Sequence, residues 1–392
     1  MCTIASIIII AILYVSQGVP QNIIEYVHAH ALNGVSQIIP QGPVASQEAI
    51  KSLGTNGGGF FNANSAHPYE NPTVIVNYIQ ATSIFAIAAA LTYTFGKWVG
   101  NTKQGWSIFL IMMTLFIVSL MVMTVSELHG FSSLNNLQDI YGQIGYISNM
   151  EGKETRFGIF NSTLYNSVST SASDGGVNSV LDSYTLIGGM MSMINMALSE
   201  VIFGGVGAGF YGFFMFLMLA VFVGSLMIGR APSFLGKKID TFDMKWVMIC
   251  LLISPCCVLV FTGLACVLPG IKEFVFNSGA HGFSEVLYAY ISGSNNNGSA
   301  FAGLSANTAY FNITIALSML IGRFGLIFAI LKICGSLVVK KRSLNYSEVS
   351  ALDTSSLVFC ILVIFTILII GGLTIFPALS LGPILEQLNI GF

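Results

Sequence analysis

Five stretches of this chain, near 2–19, 73–95, 106–126, 246–268 and 357–380, contain no charged residue. A helix needs roughly 20 apolar residues to cross a hydrocarbon core, and backbone groups in hydrocarbon must pair internally. A stretch near 310–331 contains only Arg323, and one over 183–229 contains only Glu200. Composition points the same way: 54% of residues are apolar and 8% charged, against roughly a quarter charged in a soluble domain. A net charge of -2 gives no footprint for nucleic acid. The cysteines at 2, 250, 256, 257, 266, 334 and 360 form no CxxC pair and no Cys/His ligand spacing, so they read as small buried hydrophobes. Residues 1–24 lack the basic n-region of a signal peptide, and Ala5–Val19 reads as the core of a span.

Basic residues concentrate on the cytoplasmic side of a membrane protein. Lys97 and Lys103 share one short loop, Arg230, Lys237, Lys238 and Lys245 a second, and Lys332, Lys340, Lys341 and Arg342 a third. These loops are expected inside. The segments 20–72, 127–182 and 269–307 carry only Lys51, Lys153, Arg156 and Lys272 as basic residues and are expected outside. An odd number of crossings must then link 182 to 230, so 183–229 reads as one interrupted crossing. The expectation is seven spans.

Each outer segment ends in a Gly/Asn/Ser-rich strip: Gly54-Thr55-Asn56-Gly57-Gly58-Gly59, Ala172-Ser173-Asp174-Gly175-Gly176 and Asn295-Asn296-Asn297-Gly298-Ser299. Gly58 to Gly175 spans 117 residues and Gly175 to Gly298 spans 123, which marks an internal repeat. Aligning 160–175 on 283–298 pairs Phe160 with Phe283, Leu164 with Leu287, Tyr165 with Tyr288 and Ser169 with Ser292. Before each strip lies a short helix candidate, near 45–53, 160–170 and 283–292, too short to cross. Irregular backbone at membrane depth is tolerated where protein buries it or water reaches it, so the pattern predicts re-entrant pore loops. Glycine opens backbone conformations closed to other residues, carbonyl rings can replace a potassium hydration shell, and the C-terminal ends of short helices add negative potential. The candidate cation-binding filter comprises Thr55, Asn56, Gly57, Gly58, Ser173, Asp174, Gly175, Asn296, Asn297, Gly298 and Ser299.

The run Lys51-Ser-Leu-Gly-Thr-Asn-Gly-Gly-Gly-Phe-Phe-Asn-Ala-Asn-Ser-Ala-His-Pro-Tyr-Glu-Asn-Pro72 resembles the KdpA family. So do Asn149-Met-Glu-Gly-Lys-Glu-Thr-Arg-Phe157, Phe203-Gly-Gly-Val-Gly-Ala-Gly-Phe-Tyr211, the run from Asn295 to Asn307, and Leu320-Ile-Gly-Arg-Phe-Gly325. The resemblance implies an all-α polytopic protein of tandem span–pore loop–span repeats, in the potassium-channel-like superfamily. On that pattern 1–105 is a second repeat, 106–245 a third with a broken second span, 246–345 a fourth, and 346–392 a C-terminal span and tail. The family's first repeat, with its pore loop and about three spans, is expected to be absent, leaving an incomplete filter. The resemblance also implies potassium as the transported ion, no organic cofactor, and a bacterial inner-membrane location. Implied partners are a catalytic P-type subunit, KdpB, which hydrolyses ATP, together with KdpC and the small KdpF peptide. Asp174 departs from the uncharged residue expected there.

Charge within a span is costly, so Glu200 and Arg323 are expected to face a cavity or a partner. Glu200 precedes Gly204, Gly205, Gly207 and Gly209, and glycines that open a helix expose carbonyls. By resemblance this is a gating loop beneath the filter, with Arg323 near the pore exit. Gly205–Gly209 is not a nucleotide fingerprint, since no βαβ unit surrounds it, and no Walker A or Asp-Lys-Thr-Gly motif is present. His28 and His30 lack further ligands and read as loop residues, and Glu386 reads as a solvated tail residue. Three functions are compatible with these features: a potassium-binding subunit of an ATP-driven importer, a passive channel of the same architecture, or a non-functional fragment.

Overall fold

Side chains at the helix starts set most boundaries. Thr73, Thr185, Thr308 and Ser356 each accept a backbone N–H from the first turn that follows, and Asp240 with Asp243 forms a reciprocal capping box. The computed structural model describes residues 2–30, 32, 34–130, 148–198, 200–341 and 354–390. Part of the expected outer segment, 131–147, and Arg342 of the third basic loop lie outside the described residues.

The helices in chain order are α1 (Cys2–Ser16), α2 (Val44–Gly54), α3 (Val74–Val99), α4 (Thr102–His129), α5 (Gly158–Ala172), α6 (Leu186–Ala197), α7 (Ala208–Met227), α8 (Thr241–Val267) and α9 (Ala280–Ser294). They are followed by α10 (Ala309–Leu320) and α11 (Leu326–Val339), joined through a π turn, then α12 (Leu357–Leu379), a second π turn and α13 (Leu385–Ile390). Two small antiparallel hairpins, Val27–His30 with Ser36–Ile39 and Ser233–Phe234 with Lys237–Lys238, complete the fold.

Among the described residues six helices are long and apolar enough to cross a membrane: Val74–Val99, Thr102–His129, Ala208–Met227, Thr241–Val267, Ala309–Val339 and Leu357–Asn389. Their outward faces carry large apolar side chains such as Val118, Met121, Phe365 and Leu373, as a chain dissolved in lipid requires. The expected span at 2–19 is shorter than read. It stops at Ser16, where Gly18 takes a positive φ of 96° and Pro20 follows. The stretch 183–229 divides into α6 and α7, and α7 has spanning length by itself. Cys250, Cys257 and Cys360 are buried, but Cys256, Cys266 and Cys334 are exposed, so the expectation that all are buried fails for these three. Their helices turn that face outward, where a thiol is as apolar as its neighbours.

Basic residues of the second and third loops meet at one end. Lys340 Nζ lies 2.9 Å from Asp240 and also contacts Asp243, while Lys237 Nζ donates to the Leu337 carbonyl at 2.6 Å. At the other end Arg156 donates to the carbonyls of Asn71 and Ala66, at 3.2 and 2.6 Å. There also Lys153 reaches the fully buried Glu127 at 2.7 Å, with its ammonium 4.1 Å from the Tyr184 ring centre. Glu127 also accepts from Thr185 N and from Asn149 Nδ2, both at 2.8 Å, which pins the C-terminal end of α4 to the start of α6.

Two outcomes follow. In a cysteine-free background, cysteine at Lys272 should react with an impermeant thiol reagent in right-side-out vesicles, and cysteine at Lys238 only after permeabilisation. The reverse pattern would invert the orientation. Lys153→Met leaves the Glu127 carboxylate buried without its counter-charge, a loss of about 3–5 kcal/mol. It is read as a lowered melting midpoint in detergent, and an unchanged midpoint would show that Lys153 does not carry this joint.

Candidate pore-loop site

The three short helices end alike. Their last turns pass into a left-handed residue, Thr55 (φ 50°), Ser173 (φ 51°) and Asn296 (φ 53°), and two residues later into a glycine with positive φ, Gly57 (68°), Gly175 (82°) and Gly298 (104°). In each, the residue between donates its N–H five residues back: Asn56 to the Lys51 carbonyl at 3.1 Å, Asp174 to Ser169 at 3.0 Å, and Asn297 to Ser292 at 2.9 Å. This is the Schellman pattern, which ends a helix and turns the chain sharply. The backbone therefore aligns Gly57, Gly175 and Gly298. The sequence spacing that pairs Gly58 with Gly175 is one residue out of step, because Gly57, Gly58 and Gly59 are interchangeable by identity and only Gly57 takes the equivalent place in the turn. Asp174 thus occupies the position of Asn56 and Asn297.

Successive strips touch. A methyl group on Gly57 would collide with the Asp174 carbonyl oxygen, and one on Gly175 would collide with the Asn297 carbonyl oxygen. The Asn297 side chain reaches back to donate to the Ser169 carbonyl at 3.1 Å. The middle strip, Ser173 to Gly176, is buried between the other two, whereas Asn56, Gly58 and Gly298 are exposed. The structure thus brings all eleven sequence-identified filter residues into one region.

Behind the strips lies a polar network that the sequence reading missed. Lys51 is buried against Glu48, lies 3.6 Å from Glu70 and donates to Ser65 Oγ at 2.8 Å. Ser65 Oγ pairs with the Tyr165 hydroxyl at 2.7 Å. Asp174 accepts from Gly176 N at 3.1 Å. Burial and then Glu48 push the Glu70 carboxyl above the usual carboxylate range, against the pull of Lys51. In the next unit Tyr288, aligned with Tyr165, pairs with Ser299 Oγ at 2.8 Å. Glu48 and Lys51 were legible as an i,i+3 pair on a short helix, but the remaining partners come from distant segments.

The described linker residues 198 and 200–207 between α6 and α7 sit against these strips. Glu200 and Phe203 take positive φ, 62° and 43°, and Phe203 is anchored between Phe85 and Phe109 at centroid distances of 5.1 and 5.3 Å. Gly204 and Gly209 are so close that a methyl on either would overlap the other. Val206 N donates to Thr55 Oγ1 at 3.1 Å, and Gly205 N to Glu200 Oε2 at 3.2 Å. Glu200 Oε1 lies 3.8 Å from Arg323 Nη1 across a small polar cavity that Ser254, Ser294, Asn295 and Asn296 also line. Arg323 occupies the π turn, and Gly322 beside it allows contact with the Ser294 carbonyl at the end of α9. Gly207 (φ 84°) starts α7.

Two further expectations change. Glu386 is not a free tail residue: its carboxylate lies 3.0 Å from His281 Nδ1, because α12 continues through a π turn into α13 and carries Glu386 back onto the fold. His281 Nε2 lies 3.0 Å from Asp182. Hydrogen bonds to Asp182 and Glu386 hold the imidazole of His281 up to about 10, despite its burial. His28 and His30 stand on the exposed strand of the first hairpin rather than in a loop.

Comparison with known proteins agrees with this architecture. The fold is similar to that of the potassium transporter TrkH from Vibrio parahaemolyticus, with a TM-score of 0.51 at 14% identity, over 84% of this chain and 61% of that one. The potassium-transporting ATPase potassium-binding subunit of Francisella philomiragia is 77% identical over 387 residues, 98% of this chain and 68% of the relative. The subunit of the same description from Yersinia pestis is 51% identical over 383 residues, 98% of this chain and 67% of that relative. Residues 4–388 match the family described as KdpA, potassium-transporting ATPase A subunit, and the chain belongs to that family.

Proposed function

We propose that this chain is the potassium-binding and translocating part of an ATP-driven potassium importer, taking up K+ from outside through its pore-loop strips. The observation that carries this reading is the repeated turn: three short helices ending in the same left-handed turn, with glycines packed against the carbonyls of the next strip. Such backbone presents carbonyl oxygens in the place of water around a dehydrated cation. Thr55, Asn56, Gly57 and Gly58, then Ser173, Asp174 and Gly175, then Asn296, Asn297, Gly298 and Ser299 are the filter positions.

The linker with Gly204, Gly205, Gly207 and Gly209 gates the path below, and the Glu200–Arg323 pair fixes its charge. The repeat units are 1–105, 106–245 and 246–345, with 346–392 as a final span. ATP hydrolysis belongs to a separate P-type subunit of the KdpB kind, with KdpC and KdpF completing a complex in the bacterial inner membrane. The relatives' description as potassium-binding subunits of a potassium-transporting ATPase supports this reading over a passive channel.

Gly298→Asp, placed in the complete complex of a strain that depends on it, is expected to abolish growth at limiting potassium. Unchanged growth would remove the filter assignment. Gly175→Ala forces a side chain into a left-handed turn that abuts the Asn297 carbonyl. Strain of about 1–3 kcal/mol corresponds to roughly fivefold to 150-fold in half-saturating potassium, measured by rubidium or potassium uptake. Arg323→Met acts below the strips, so it is expected to lower maximal uptake while half-saturation moves little; the opposite split would move Arg323 into the binding site.

A further inference from the structure

Away from the strips, Asp182, His281 and Glu285 each place a ligand atom within 4.8 Å of the others. His281 and Glu285 stand four residues apart in the first turns of α9, the spacing that puts two side chains on one helix face. Asp182 comes from the turn Leu181–Ser183 ahead of α6. Gly303 lets the acids approach: a methyl there would collide with Glu285 Oε1 and lie 3.0 Å from Asp182 Oδ2. Its N–H donates to that Asp182 oxygen at 2.8 Å.

Two features point to a cation-binding cluster. Glu285 is fully buried, its Oε1 accepts from Asn277 Nδ2 at 2.8 Å, and its Oε2 is buried with no hydrogen-bond partner. Around one imidazole stand three carboxylates, those of Asp182, Glu285 and Glu386, and among the described residues no lysine or arginine forms an ion pair with them. The His281 imidazolium is one positive charge, already paired with Asp182 and Glu386, so the buried Glu285 has no ion-pair partner of its own among the described residues.

We propose that Asp182, His281 and Glu285 form a binding site for a first-row divalent cation of the zinc class. One imidazole with two carboxylates is a donor set that Zn2+ accepts, with solvent in a fourth position. The side chains of Asp182 and His281 remain partly exposed, at 13% and 20%, which leaves room for that water and a route for the ion. The cation replaces the proton between His281 Nε2 and Asp182, and binding releases that proton to solvent. Glu386, on His281 Nδ1, then acts as the positioning carboxylate that fixes the ring. With Zn–ligand bonds of about 2.0–2.1 Å, the carboxylates close inward on the ion. The bound cation ties the turn before α6, the start of α9 and the terminal helix α13 on the side assigned to the outside.

The test uses the full chain in detergent, stripped by chelator, with His28→Asn and His30→Asn introduced to remove the exposed histidine pair. Zn2+ titration by calorimetry is expected to show a single equivalent, and Co2+ a visible spectrum of a low-coordinate site with a histidine ligand. His281→Ala should abolish both. Asp182→Asn and Glu285→Gln should each weaken binding by roughly tenfold or more, and Glu386→Gln by about 10–100-fold. Zn2+ should raise the melting midpoint of the parent protein and not that of His281→Ala. Absence of stoichiometric Zn2+ binding in the parent protein would overturn the proposal. So would binding that Asp182→Asn and Glu285→Gln leave unaltered, or a Co2+ spectrum of hexa-aquo type. The parent measurements stand even if a variant fails to fold.

Discussion

The contact between one strip's glycine and the next strip's carbonyl is the constraint on which the rest of the site depends. Gly57 meets the Asp174 carbonyl and Gly175 meets the Asn297 carbonyl with no space for a side chain. The approach is available only because each short helix first turns through a left-handed residue, and that conformation costs a non-glycine residue about 1–2 kcal/mol. The Schellman hydrogen bonds from Asn56, Asp174 and Asn297 offset part of that cost by satisfying carbonyls of the last helical turn. Local backbone chemistry and the packing of distant strips therefore reinforce one another.

The same geometry explains where polar groups accumulate. A strip that turns its carbonyls one way must have its back supported, and here the support is polar. Tyr165 and Tyr288 stand at equivalent places, one bonded to Ser65 and the other to Ser299. Asp174 fills a position held by asparagine in the other two strips, and it lies in the unit whose neighbour carries Lys51. A buried ammonium near that carboxylate makes its presence tolerable, since interior charges survive when opposite charge and hydrogen bonds surround them.

Much of this was legible in sequence because membrane crossing imposes a coarse rule. Charge-free windows located α3, α4, α8 and α12. The short helices before the strips were legible from their length and from the repeat. What escaped were distinctions that identity cannot carry. Three consecutive glycines at 57–59 hide which one takes the turn, and only backbone dihedrals separate them. Glu386 looked terminal because nothing in its neighbours signals that a π turn returns the helix to His281. Gly18 and Pro20 could have shortened the first span in advance, since both interrupt helices.

Ionisable side chains in the protein interior follow a common logic. Glu48, Lys51 and Glu70 brace the first strip, Glu127 and Lys153 join α4 to the start of α6, and Glu200 and Arg323 link the glycine linker to the π turn. Each group joins an irregular segment to a regular one. Apolar packing in lipid discriminates poorly between alternative placements, because the solvent is as apolar as the interior. A compensated charge pair does discriminate, since any displacement leaves a charge unpaired at low dielectric. Among the described residues these charges stand where the backbone leaves the helix and where hydrophobic contact alone would leave the conformation undetermined.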